Sequence, residues 1–208
     1  MGLERHVGTV REGPHQYVVW GRTRRLQEGD PAPDFRLKYL DLADNQLHTI
    51  QLSDFKSALI LHLIRGINRD SMRATYDLDV LRAGTNLPSE ALRIITAGLI
   101  PPNTLAGVRK RHGIAHIVAS ASDVPTKFGL DCAALIKEPD RFLHGGVIFV
   151  FARGLVQYAH YPEDMATKPD FFKPISVARE FADDALMDIS VASLIAEFST
   201  PIKPTQGK

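Results

Sequence analysis

Apolar and polar positions alternate through the N-terminal residues in the manner of two short strands. Val7-Gly8-Thr9-Val10, a turn at Arg11-Glu12-Gly13-Pro14, and His15-Gln16-Tyr17-Val18-Val19-Trp20 predict a small antiparallel arm. The prolines of Gly29-Asp30-Pro31-Ala32-Pro33-Asp34-Phe35 then hold the chain extended and mark the boundary between arm and body. Arg36 to Leu40 and Leu47 to Ile50 read as two strands about a turn, followed by one helical turn at Leu52-Ser53-Asp54-Phe55. Ser57 to Ile64 is a nearly continuous apolar run, the pattern of a strand covered on both faces, and predicts the central strand.

Beyond it the pattern changes period. A helix is predicted from about Asp70 to Ala83, capped by Asn68 or Asp70 and stopped by Gly84. Met72, Tyr76 and Val80 form its apolar stripe, and Arg73 and Asp77 stand at i,i+4 spacing for an ion pair. Ala91 to Ala97 predicts a second buried strand, Pro102 to His112 a helix ending at Gly113, and His116 to Ala119 a short strand. Val147 to Phe151 and Leu155 to His160 form a hairpin about Arg153-Gly154, and Ile175 to Phe198 suits a last amphipathic helix. Strands and helices alternate, which is an α/β pattern.

The chain has 208 residues, 25 basic against 24 acidic, and a formal charge of +1, so no global field favours nucleic acid or a membrane surface. No apolar run approaches the roughly 20 residues that span a bilayer, and Met1-Gly2-Leu3-Glu4-Arg5-His6 lacks the plan of a signal peptide; a cytoplasmic protein is expected. The one cysteine, Cys132, excludes an intramolecular disulfide, a CxxC pair and a multi-cysteine zinc site. No phosphate-binding loop, dinucleotide fingerprint or serine-nucleophile elbow is present. His112 and His116 have i,i+4 spacing, but Gly113 breaks the helix between them, so neither a metal nor any other cofactor is expected.

The order of elements, with Gly29 to Phe35, Leu52 to Phe55, Leu59 to Ile64, Phe128-Gly129, Val147 to Phe151 and Lys168-Pro169-Asp170-Phe171, resembles the peroxiredoxins, closest to their thiol peroxidase branch. The resemblance covers roughly four-fifths of the chain. It implies a thioredoxin-like fold of peroxiredoxin type over residues 1–208 as a single domain, with an N-terminal hairpin arm at 1–28 and a C-terminal helix and tail at 176–208. It also places Phe128-Gly129-Leu130-Asp131 on a strand remote from the catalytic loop.

The family's chemistry rests on a Pro-x-x-x-Thr-x-x-Cys loop at a helix N-terminus and on an arginine from a later strand. Here those three positions fall on Arg65, Arg69 and Met72, and the later arginine falls near Gly145. A thioether cannot become a thiolate, so the resemblance implies loss of the peroxidatic step. Cys132 stands beside Asp131, which raises a thiol pKa, and a peroxidase using Cys132 ranks last among the readings.

Arg65 and Arg69 at the mouth of a helix instead favour an anion, with Met72 and Arg73 completing the expected binding set. The plainer reading is that these arginines pair with Asp70, Asp77 or another acidic residue. His62 on the central strand and His144 before the long strand are the candidates for proton transfer, against the plainer reading of a hydrogen-bonded core histidine and a loop histidine. The function expected is binding of a small anionic molecule, with or without cofactor-independent acid/base catalysis such as isomerisation, cyclisation or hydrolysis. The alternative is a non-catalytic dimeric accessory protein using the last helix to hold a partner. A homodimer is expected in either case, with no nucleic acid and no membrane.

Overall fold

The computed structural model describes residues 4–121 and 125–182. Among them, β5 (Ala58–Leu63) is buried at every position, as its apolar run predicts. It pairs in parallel with β6 (Leu92–Gly98), which pairs in parallel with β7 (Ile117–Ser120). Antiparallel partners complete the sheet: β10 (Ile148–Ala152) and β11 (Leu155–His160) on one side, β3 (Arg36–Leu40) and β4 (Leu47–Gln51) on the other. The resulting order is β11-β10-β5-β6-β7-β3-β4.

The two-residue period of β5 divides the core. Leu59, Leu61 and Leu63 join Phe35, Phe128, Phe149 and Cys132 on one face. Ala58 and Ile60 face α1 (Arg69–Ala83) and the helix α4 (172–182), and Ile64 meets Met72 of α1 with Leu105 and Val108 of α2 (Pro102–His112). Each leucine sealed in this way contributes about 1.5–3 kcal/mol. His62, on the same face as Ile60 and Ile64, is the polar exception.

The helix ends follow from local chemistry. The Asn68 side chain accepts from the Ser71 N–H at 2.8 Å and starts α1. Gly113, at φ 62°, ends α2 in the left-handed conformation that only glycine adopts without penalty.

Several expectations are corrected. The stripe of α1 is Met72, Thr75 and Leu78, with Ala74 beside it, whereas Tyr76 is 47% and Val80 51% exposed. A strict four-residue repeat drifts around a 3.6-residue helix, so Met72, Tyr76 and Val80 cannot share one narrow face, and Thr75 hides its hydroxyl by donating to the Ser71 carbonyl at 2.8 Å. Asp77 pairs with Lys168 at 2.9 Å rather than with Arg73. Phe128-Gly129-Leu130-Asp131 lies in a helix, α3 (Pro125–Asp131), not a strand. The last helix begins at 172, three residues before its predicted start, and the predicted continuation from 183 to Phe198 and the tail lie outside the described residues.

The N-terminal hairpin is more than an arm. Its strands β1 (Arg5–Glu12) and β2 (His15–Gly21) run through the residues taken as turn, leaving Gly13-Pro14 as the connection. With β8 (Leu135–Ile136) and β9 (Phe142–Leu143) they form a second, four-stranded sheet. Extension of β1 to Glu12 brings that carboxylate to the body of the protein.

Candidate functional site

A cleft of about 520 Å³ opens at the N-terminus of α1, a size that suits a small organic ligand. One wall is the first turns of α1 with Ser71 and Arg73, and the floor carries His62. Opposite stand Glu12, Arg65 and the loop 165–169. That loop is pinned to β1, since Met165 N–H donates to the Arg11 carbonyl and Arg11 N–H to that of Glu163, at 2.8 and 2.9 Å. Lys168, through Asp77, ties the same loop to α1.

His62 is 1% exposed, and among the described residues neither of its ring nitrogens has a hydrogen-bond partner; Nδ1 is sealed from solvent altogether. Phe171 meets the ring edge-on at 5.3 Å. Burial, and then the neighbouring His116, push its pKa down to about 3, so the ring is neutral at pH 7. A buried polar atom left unmatched costs about 1–3 kcal/mol, and His62 Nδ1 is one of four such side-chain atoms among the described residues, with Arg25 Nε, Asp77 Oδ2 and His144 Nδ1.

The arginines divide. Arg65 forms an ion pair with Glu12 and lies over the rings of Phe142 and Tyr17, at 4.3 and 5.6 Å from their centroids. It therefore clasps the four-stranded sheet to the body, as the plainer reading allowed, with a partner the sequence did not single out. Among the described residues Arg69 and Arg73 make no ion pair, and of these two only Arg73 lines the cleft. Met72 is also outside the lining, buried between α1 and α2.

His144 lies elsewhere. It is fully buried, its Nε2 donates to the Pro162 carbonyl at 2.9 Å, and its ring packs 6.2 Å from that of Tyr161. Burial, followed by Arg25, lowers its pKa to about 4. The structure thus gathers His62, Arg65 and Arg73 in one cleft and leaves Arg69, Met72 and His144 outside it.

A peroxiredoxin-like protein from Aquifex aeolicus superposes with a TM-score of 0.70 at 16% identity, covering 85% of this chain and 99% of its own. A thiol peroxidase from Chromobacterium violaceum gives 0.63 at 18% identity, over 87% and 99%. The reduced 2-Cys peroxiredoxin of Plasmodium vivax gives 0.58 at 16%, over 88% and 89%. The fold is that of the peroxiredoxins. No protein-family model matches the chain, and no curated protein matches it.

Cys132 is fully buried in the core, with its pKa pushed far up by burial and further by Asp131. Asp131 is itself held by Arg22 and Lys127. Gly145, where the resemblance puts an arginine, packs on the chain at Arg65: a Cβ there would stand 3.1 Å from the Arg65 nitrogen and 3.2 Å from its Cβ. Gly145→Ala is accordingly expected to lower stability by about 1 kcal/mol through overpacking, measured as a fall in urea midpoint at unchanged slope. Among the described residues no group of three or more His, Cys, Asp or Glu could hold a metal ion, and no helix is long and apolar enough to cross a membrane.

Sequence reasoning passed over Glu12 as the partner of Arg65, and Asp79 with Thr96 as partners of His116. The hydroxyl of Thr96 lies 2.9 Å from His116 Nε2, and Asp79 lies 3.0 Å from its Nδ1. Asp79 and His116 are 37 positions apart, and no local pattern announces such a pair.

Proposed function

We propose that this protein binds a small anionic organic molecule in the cleft at the N-terminus of α1 and has no thiol peroxidase activity. The observation that carries the reading is His62: buried, neutral, without a hydrogen-bond partner among the described residues, and lining a cleft with Arg73, which makes no ion pair among them. The first-turn N–H groups of α1 have no intrahelical acceptor and add to the attraction for an anion. Glu12 offsets Arg65, and of the other charged residues that line the cleft, Asp70, Arg73 and Lys168, the lysine is held by Asp77, so Arg73 is the cation left to meet an anion.

A pKa near 3 makes His62 a weak proton acceptor until an anion arrives beside it and raises that value. Binding is therefore the primary function, and any acid/base step follows from it. The accessory-protein alternative draws less support. Ile175, Ala178 and Ala182 of α4 are spent in the core, and Phe172 is the large apolar side chain left exposed on the described part of that helix.

A thermal-shift panel of benzoate, phthalate and hydroxybenzoates tests the proposal. A ligand at ten times its Kd adds about 1.4 kcal/mol, a rise of roughly 3–5 °C for a chain of this size. Arg73→Ala and His62→Gln should each abolish the rise, while Arg69→Ala leaves it intact. No shift of the wild type by any of these acids would end the proposal. Peroxide consumption with a thiol reductant should be absent in wild type and in Cys132→Ser alike; turnover that disappears with Cys132 would contradict the second half.

A further inference from the structure

The charges that line the cleft fall into two groups. Glu12 holds Arg65, and Asp77, outside the lining, holds Lys168 at 2.9 Å. Asp70 and Arg73 remain, and among the described residues neither makes an ion pair. One is an anion and the other a cation. Both are exposed, and they stand three positions apart on the first turns of α1. That spacing puts two Cβ atoms about 5–6 Å apart on one face of a helix, near enough for opposite charges to bridge one another. Here they do not bridge, and both face the same cleft.

The groups around them sharpen the consequence. Asn68 Oδ1 accepts the Ser71 N–H at 2.8 Å, so the side chain has only its amide N–H groups left to offer. Asp70 stands in the first turn of α1, where a carboxylate offsets the partial positive charge of the helix terminus. An anion entering the cleft is therefore steered away from Asp70 and toward Arg73. A ligand that is only an anion satisfies Arg73 and leaves Asp70 facing a like charge. A ligand that also carries a cationic group satisfies both.

Resting on the cleft reading above, we propose that Asp70 and Arg73 together select an amino acid, whose carboxylate meets Arg73 and whose ammonium, about 5–6 Å away, donates to Asp70. Arg73 alone would accept any small acid, since its guanidinium matches a carboxylate whatever the rest of the molecule carries. Asp70 is the residue that distinguishes among acids, by rewarding the one with a second, opposite charge.

Calorimetric titration of the whole chain with 3-(aminomethyl)benzoate and 3-(hydroxymethyl)benzoate decides it. The two share ring, carboxylate and reach, and differ in one charge. The aminomethyl acid should bind about tenfold tighter, the effect of one charge-assisted hydrogen bond. In Asp70→Asn it should fall to the affinity of the hydroxymethyl acid, whose own affinity should hold or rise as the repulsion is removed. In Arg73→Ala both acids should weaken about tenfold or more. Both residues are exposed, so neither variant disturbs the core. Equal affinities in the wild type, or a preference that survives Asp70→Asn, overturn the inference and leave the cleft reading intact. An equal loss of both acids in Asp70→Asn also overturns it, because Asp70 then supports the helix terminus and selects nothing. Binding of neither acid overturns the cleft reading, and the inference with it.

Discussion

Acidification from pH 7 to pH 5 is expected to weaken the fold by roughly 4 kcal/mol, a large share of the 5–15 kcal/mol that holds a typical domain together. The loss traces to two buried rings. His62 titrates near 3 and His144 near 4 in the folded protein, whereas both return to about 6.5 when the chain unfolds. Below 6.5 the unfolded state takes up protons that the folded state refuses, so stability falls as pH falls, by about 1.4 kcal/mol per unit for each ring, until the folded pKa is reached. His116, also lowered by burial despite its bonds to Asp79, acts in the same direction. The depressed carboxyls Asp30, Asp44, Asp79 and Glu90 lose their contribution below about pH 5, at the lower edge of this window and beyond it. Urea midpoints at pH 7, 6 and 5 would measure the slope. His62→Gln should remove close to half of it, and a wild-type midpoint that stays flat from pH 7 to pH 5 would show that the rings are not buried as described.

Truncation of Phe149 should cost about 3–5 kcal/mol. This ring stands opposite Leu61 in the β10–β5 ladder, stacks on Phe151 at 5.5 Å and meets Tyr161 edge-on at 5.5 Å. It joins the buried layer that also holds Phe35 and Phe128, whose rings touch at 5.4 Å. Tyr76→Ala, on the exposed side of α1, is the control and should stay within about 0.5 kcal/mol. A comparable loss at both positions would mean that the sequence-derived stripe of α1, and not the observed one, faces the core.

That control marks where the amino-acid pattern was legible. The run Ala58–Leu63 could only be a strand covered on both faces, and Asn68, Pro102 and Gly113 set helix ends by chemistry confined to a few neighbouring residues. On α1 the apolar residues were too few to fix a face, and a satisfied threonine took a core position that apolarity alone assigned to others. Strands β8 and β9 are two residues each, too short to show a period, so the second sheet was invisible although its hairpin half was plain.

The candidate site shows the same division. His62, Arg65 and Arg73 were legible because they lie within about one loop of each other around the start of α1. Met72 and Arg69 were misplaced because a helix rotates successive side chains by about 100°, and a position matched by motif spacing need not face the cavity. His144 was drawn to the site by its nearness in sequence to Gly145, yet its ring turns the other way toward Tyr161. Glu12 and Asp79 join their partners only through the tertiary fold.

The cleft holds a neutral histidine, His62, with no hydrogen-bond partner among the described residues, and an arginine, Arg73, with no ion pair among them. Titration of the labelled protein with 3-hydroxybenzoate, followed on the ring signals of His62, tests ligand binding there most directly. The expected result is a saturable shift of the His62 signals in the wild type, with affinity reduced about tenfold or more in Arg73→Ala. Signals that stay in place at millimolar ligand, or that move equally with and without Arg73, would contradict it.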